Sequence, residues 1–240
     1  MDKPDQPEKQ APNLAAKRRV QAERSLSSLV ITIEFTLISV MAGVVLAPLA
    51  TFAAPLISNL RFETWPYILF GLLYILFMWS GVISHAFTFV SWPFELGHNL
   101  LYIVWALVLA MQMTFVEDPA SWFILDILQF MVVGWIGFYD LRILLRRMAD
   151  ATPAARTLFE IARRRQVSLI LLLPVAAGSA VLSLALLRLF PAFFIGQHAH
   201  WILGSIQVLG VCVGLLQNMR ALVAWQEPII QKEMAELEES

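Results

Sequence analysis

Six long runs of apolar residues, separated by short polar segments, dominate the chain. They cover about residues 28–57, 65–90, 98–116, 122–145, 167–190 and 201–225. Each run is close to the roughly 20 residues with which a helix crosses about 30 Å of hydrocarbon. None of them alternates with the period of two that membrane strands require. The pattern predicts an all-α integral membrane protein, with a bundle of six transmembrane helices over residues 27–226.

The segments outside these runs are polar. Residues 1–26 predict a cytoplasmic tail that leads into a short amphipathic turn, and residues 227–240 predict an acidic cytoplasmic tail. The arginine-rich stretch before the fifth run predicts a short cytoplasmic amphipathic helix between spans four and five, since Thr152-Pro153 suits a helix start. Pro48 and Pro55 should kink or end the first helix.

The distribution of positive charge predicts the orientation. In a six-helix arrangement, all of the 17 lysines and arginines except Arg61 and Arg188 fall on one side of the membrane. The positive-inside rule then places both termini in the cytoplasm, in a bacterial-type inner (plasma) membrane. Aromatic residues at the predicted ends of the spans agree with this orientation. They are Trp65, Trp122 and Trp201 on the outer side, with Trp92, Tyr139 and Trp225 on the inner side.

Composition excludes several other classes of protein. The chain is 59% hydrophobic and 15% charged, against about 45–50% and about 25% in average globular domains. A soluble domain of 240 residues could not bury so much apolar surface. The net charge of −1 predicts no nucleic-acid partner. Cys212 is the single cysteine, so the chain cannot form an internal disulfide.

One group of polar residues at membrane depth falls near the predicted inner face. It consists of Glu34, His85, Glu95, His98, Asn99 and Asp140. Ionisable groups in a bilayer cost from about 2.5 kcal/mol upward, so each needs a partner or a function. If the helices turn these side chains inward, they could relay protons, bind a metal or recognise a lipid head group. Alternatively, they reach water or cap helix ends.

His85 and His98 are the candidate metal ligands, with neighbouring carboxylates completing a site for a divalent metal. The chain has no H-E-x-x-H motif and no cysteine pair to accompany them. A haem is not expected, because its two axial histidines must stand at one depth and His98 is at the very end of its predicted helix.

A second polar group falls near the predicted outer face, beside the loop residues His198 and His200. It consists of Gln112, Asp126, Gln129, Arg188 and Gln207. Arg188 is the only obvious cationic partner for Asp126, and an ion pair would lower the cost of burying both charges. The group forms either such a structural pair or the lining of a vestibule. The two histidines are expected to be solvated.

Small residues at helix-packing spacing include Gly210 and Gly214 in the sixth run. Such residues let helix backbones approach closely in lipid, either within the bundle or in a homo-oligomer. The expected partners are the lipid bilayer and either a second copy or another membrane-complex subunit.

Two polar layers at opposite depths favour a small transporter or channel for a proton, ion or small solute. The candidate path residues are Glu34, His85, Asp126, Gln129, Arg188 and Gln207. In this hypothesis Glu34, tuned by His85, exchanges the proton. Two alternatives stay open. One is a non-catalytic subunit or assembly factor of a membrane complex, and the other is an inner-leaflet enzyme that uses histidine and carboxylate as acid and base.

Overall fold

Helices account for nearly all of the computed structural model, which describes residues 11–88, 96–149 and 153–238. No strand occurs within these ranges. The helices are α1 (Ala11–Ser58), α2 (Trp65–Thr88), α3 (Leu96–Thr114), α4 (Pro119–Ala149), α5 (Pro153–Leu189), the short α6 (Pro191–Phe194) and α7 (His200–Glu238). A 3-10 turn, Phe62–Thr64, precedes α2. The predicted all-α class is confirmed.

Five stretches of the described chain are long and apolar enough to cross a membrane. They are Phe35–Ser58, Phe62–Gly81, Pro119–Ala149, Phe159–Leu189 and His200–Ala224. Helix α3 contains a shorter apolar stretch, Leu100–Thr114. The length and composition of the helices therefore mark an integral membrane protein, while the predicted count of six spans is not confirmed.

The six long helices pack as a ring whose order differs from the order along the chain. Helix α1 contacts α2 and α3, α3 contacts α4, α4 contacts α5, α5 contacts α7, and α7 returns to α2. The most extensive contacts join α4 to α5 and α2 to α7. Apolar side chains from this ring form one main core, which includes Val45, Phe70, Leu109, Phe123 and Leu187.

Several predicted tails and connectors are continuous with the long helices. Helix α1 is already helical at Ala11, within the predicted tail, and α7 continues to Glu238 through the acidic segment. The predicted helix start at Pro153 is confirmed. Helix α5 then continues without a break to Leu189, so the prediction of a separate short helix before the fifth span is wrong. The reason is local: residues 154–173 contain no glycine or proline, and a change in polarity alone does not end a helix.

The prolines of α1 act only partly as predicted. Pro48 and Pro55 both lie inside the helix, which ends at Ser58, three residues after Pro55. Leu60 then adopts a left-handed conformation with φ of 54° and reverses the chain. The amide of Arg61 donates to the carbonyl of Leu56 at 2.9 Å, which satisfies one of the terminal carbonyls of α1.

The two ends of the bundle differ in charge. We call the end where α4 stops and α5 starts the basic end, because Arg142, Arg146, Arg147, Arg163 and Arg164 lie there. We call the other end the turn end, because it holds the connections 59–64, 115–118 and 190–199.

An arginine ties two of these connections together at the turn end. Arg61 forms ion pairs of 2.7 Å with both Glu63 and Glu117. The pKa of Arg61 is raised, mainly because its guanidinium donates a hydrogen bond to Glu63. The negative charges of Glu63 and Glu117 raise it further.

Candidate functional site

A buried polar network joins three helices near the turn end. Asp126 of α4 and Gln112 of α3 are 0% exposed, and Gln207 of α7 is 7% exposed. The side-chain amide nitrogen of Gln207 donates to Oδ2 of Asp126. That of Gln112 donates to Oδ1 at 3.4 Å. Two neutral amides from two other helices, α3 and α7, therefore hold the buried carboxyl group.

The indole of Trp122 completes this network. Its Nε1 donates to Oε1 of Gln207 at 3.0 Å, and its backbone carbonyl accepts from Nε2 of Gln112 at 3.5 Å. An indole nitrogen only donates, so Gln207 must turn its oxygen to Trp122 and its NH₂ group to Asp126. The sequence indicated Trp122 only as an interfacial residue.

The predicted ion pair between Asp126 and Arg188 is wrong. Arg188 is exposed on the outside of the bundle near the end of α5, whereas its neighbour Leu187 is buried. Position 188 therefore points away from the core. An arginine so close to a helix end can carry its charge to the polar boundary along its aliphatic stem.

Aromatic side chains close the bundle between this network and the turn end. Tyr67 and Phe70 both pack edge-on against Trp122, with ring centroids 5.0 and 5.7 Å apart. Phe123 packs against Tyr67 as well. All four rings are at most 1% exposed.

One of the two predicted loop histidines belongs to this closure. His200 begins α7 and is buried, and its carbonyl accepts a hydrogen bond of 3.0 Å from the Tyr67 hydroxyl. Its expected solvation is therefore wrong, because Tyr67 and the start of α7 enclose it. His198 is exposed, as predicted.

A cavity of about 410 Å³ extends from the network toward the basic end. Helices α2, α3, α4, α5 and α7 all contribute to its wall, which is mostly apolar. Gln207 borders the cavity and also binds Asp126, so the buried network forms one limit of this space. Its aromatic lining consists of Phe70, Tyr74, Phe77, Tyr102, Trp105 and Phe130.

The opposite limit of the cavity is polar. Arg165 of α5 donates from Nε and Nη2 to Oδ1 of Asn218 on α7, at 3.0 and 2.7 Å. Asn218 is completely buried, and its Nδ2 donates a hydrogen bond of 3.0 Å to Oγ of Ser80 on α2. Gln166 donates to the carbonyl of Gly137 at 3.1 Å. We call Arg165, Asn218, Gln166 and Asp140 the polar pole.

Asp140 is the member of this pole that the sequence predicted. It is 6% exposed, lines the same cavity and attracts the guanidinium of Arg165 electrostatically. Sequence reasoning missed Arg165 and Asn218. Arg165 was concealed by the basic residues that precede it, and the available signal for Asn218 was the amide pair Gln217-Asn218 near the end of an apolar run.

Gln129 is buried one helical turn from Asp126 but stands outside its hydrogen-bonded network. Neither its amide nitrogen nor its oxygen has a hydrogen-bond partner of good geometry among the described atoms. The same is true of the indole nitrogen of Trp105. Both groups lie near the Tyr74 hydroxyl. Polar atoms are thus concentrated beside the middle of the cavity as well as at its limits.

Most of the predicted inner-face group lies outside the described side chains. These residues are Glu34, His85, Glu95, His98 and Asn99. Their roles in proton relay or metal binding stay predictions. Among the side chains that are described, no group of three or more His, Cys, Asp or Glu residues could hold a metal ion.

No protein-family model, curated protein or solved structure matches this chain. Its fold and site define the class of protein: a helical integral membrane protein whose helices surround a cavity with a buried carboxyl network at one limit and a polar pole at the other.

Proposed function

We propose that the protein is a small membrane transporter that moves a solute through the cavity and couples this movement to proton exchange at Asp126. The observation that carries the proposal is the burial of Asp126, which is 0% exposed and lies beside the cavity-lining Gln207. Among the described residues, no cationic side chain lies within ion-pair distance of Asp126. A carboxyl group at membrane depth is expensive and marks proton or ion pathways.

The proposal includes six spans, with both ends of the chain on the cytoplasmic side. The 19 residues of α3 give a helix about 28 Å long at 1.5 Å per residue, close to the hydrocarbon thickness. Helix α3 also lies between α1 and α4, both of which contain candidate spans. The arginines of the basic end favour the cytoplasm for that end, in an inner membrane of bacterial type.

The packing supports access to the cavity from one side at a time. Tyr67, Trp122 and Phe123 close the turn end, whereas the polar pole lies toward the basic end. A transporter keeps one gate closed while the other opens. In the proposed cycle, a proton gained by Asp126 removes the negative charge that attracts Gln207. This weakens the link between α4 and α7 and lets the aromatic closure loosen.

Proton flux into liposomes tests this role. The purified chain is reconstituted with a pH-sensitive dye inside the vesicles, and flux is followed under an imposed potential. We expect flux above that of empty vesicles, and we expect Asp126→Asn to abolish the excess, since asparagine keeps the shape but cannot exchange a proton.

Asp118→Asn is the matched control. Asp118 is exposed at the turn end, where its Oδ1 accepts the backbone amide of Ala120 at 3.1 Å, and asparagine serves equally well in such a cap. Flux in this variant should equal that of the natural chain. Equal flux in Asp126→Asn and in the natural chain would refute the proposed coupling. Glu34→Gln in the same assay tests the separate prediction for Glu34.

A further inference from the structure

The wall of the cavity has an opening between α5 and α7. Leu172 and Val175 on α5 line the cavity and are 38% and 69% exposed. On α7, Ile206 and Val213 line it and are 49% and 51% exposed. Between them, a Cβ atom placed on Gly210 would meet nothing within 4 Å. The same side chains thus face the cavity and the outside of the bundle.

The sequence of α5 offers a physical reason for this gap. Pro174 lies inside the helix at the height of the opening. Proline removes one helical hydrogen bond and favours a bend. Nearer the basic end, the hydrogen bonds from Arg165 to Asn218 hold the two helices together.

In a bilayer, the opening would face hydrocarbon rather than water. Its residues fall well inside the candidate spans Phe159–Leu189 and His200–Ala224. Arg165 precedes Pro174 by nine residues, which is roughly 13 Å along a helix. Half of the hydrocarbon thickness is about 15 Å. Pro174 is the midpoint of the candidate span Phe159–Leu189. In a bilayer centred on this span, the polar pole would lie near the depth of lipid head groups, and the opening and the aromatic lining would lie at the depth of acyl chains.

We propose that the cavity binds a single-chain amphiphile with an acidic head group, which enters from the bilayer between α5 and α7. The chain would occupy the aromatic part of the cavity, and the carboxylate or phosphate would be held at Arg165. A volume of about 410 Å³ is near the lower end of the range for small-molecule sites, roughly 300–1,000 Å³. It suits one hydrocarbon chain better than two.

Charge supports the choice of an acidic head group. Arg165 faces the cavity together with Asp140, and Arg163 and Arg164 are its neighbours on α5. Arg142 and Arg146 extend this positive surface at the end of α4. A positive field of this kind attracts anionic amphiphiles from the membrane surface. The inference rests on the proposed function only in naming the transported solute, because binding itself requires no transport.

Quenching of tryptophan fluorescence by a bromine-labelled palmitate tests the proposal, since bromine quenches only at close range and Trp105 lines the cavity. The protein is titrated in detergent with the labelled acid and with the alcohol of the same chain. We expect saturable quenching by the acid, mostly lost in Trp105→Phe. The alcohol should bind about tenfold more weakly, the scale of one charge-assisted hydrogen bond.

Two pairs of variants locate the site. Arg165→Gln should weaken binding of the acid about tenfold and leave the alcohol unchanged, whereas Arg163→Gln, at an arginine paired with Glu160, should change neither. Gly210→Phe should block both ligands. Its control, Gly178→Phe, also replaces a helical glycine with open space around it, but at a position that does not line the cavity.

The outcomes separate this inference from the proposed function. Binding that survives in Asp126→Asn while proton flux is lost would support both. If the acid binds but proton flux is the same in Asp126→Asn as in the natural chain, the binding site is supported and the transport mechanism is refuted. Equal affinity for acid and alcohol, or quenching unaffected by both Arg165→Gln and Gly210→Phe, would overturn the site itself.

Discussion

The indole nitrogen of Trp122 donates to the side-chain oxygen of Gln207 at 3.0 Å, and this bond determines which way the Gln207 amide points. With its oxygen committed to Trp122, the amide can offer only its NH₂ group to Asp126. An aromatic residue in the closure at the turn end thereby controls the surroundings of a carboxyl group at the limit of the cavity.

Replacing Trp122 with phenylalanine should release this amide. The aromatic packing is largely kept, but Gln207 loses its donor and can rotate, so we expect a loss of about 1–2 kcal/mol in the free energy of unfolding. The measurement is thermal unfolding in one detergent. Trp201→Phe is the control, because Trp201 is exposed on the outside of the bundle. Equal stability of the two variants would contradict the role assigned to the indole nitrogen.

Replacing Asn218 with leucine should destabilise the polar pole. Asn218 accepts two hydrogen bonds from Arg165, and leucine would leave the guanidinium without this acceptor. We expect the free energy of unfolding to fall by about 1.5–3 kcal/mol, the range for a hydrogen bond to a charged group. Half-buried Gln217 provides the control Gln217→Leu.

A double variant tests whether the cost of Asn218→Leu comes from the charge. In Arg165→Met/Asn218→Leu, both partners become apolar. The free energy of unfolding should therefore fall by less than the sum of the decreases in the two single variants. Strictly additive losses would show that the two side chains act independently.

Replacing Gly71 with alanine should weaken the packing of α2 against α1 and α3. A Cβ atom there would lie 2.5 Å from Sδ of buried Met113 and 3.3 Å from Cδ2 of Leu49. Crowding of this kind costs about 1–3 kcal/mol. Gly43→Ala is the matched control, since its Cβ meets nothing within 4 Å. Alanine should stabilise that helix by about 0.5–1 kcal/mol. Thermal unfolding compares them, and a neutral Gly71→Ala would argue against close contact there.

Cysteine labelling can decide whether α3 crosses the membrane. In a Cys212→Ser background, Glu117→Cys places a thiol at the exposed turn end, and Ser91→Cys places one before α3. A membrane-impermeant maleimide added from one side should label only one of the two variants. Labelling of both from the same side would exclude the sixth span. Arg146→Cys marks the basic end and should behave like Ser91→Cys.

Much of the fold follows from the sequence because entry into a bilayer depends on the composition of a whole stretch of residues. Runs such as 65–90 and 201–225 therefore indicate their helices correctly. Helix boundaries were harder to predict. The arginine-rich segment of α5 contains no glycine or proline, and α7 continues through Pro228 into its acidic segment. In both cases a polar segment and its neighbouring span fold as one helix.

Several members of the candidate site were also predictable. Gln112, Asp126 and Gln207 stand out as polar residues in apolar runs, and the structure joins all three. Their partners were not predictable. Arg188 was the predicted partner of Asp126 because opposite charges attract, but that prediction ignores the direction in which each side chain leaves its helix.

The sequence by itself determined that this is a helical membrane protein with polar residues at two depths. Only the tertiary structure decided that Asp126 binds Gln207, 81 positions away, and that Arg165 turns into the cavity while Arg164 stays outside. The physical reason is rotation about the helix axis. A membrane helix is apolar on most of its surface, so its own sequence barely favours one face, and packing against its neighbours makes the choice.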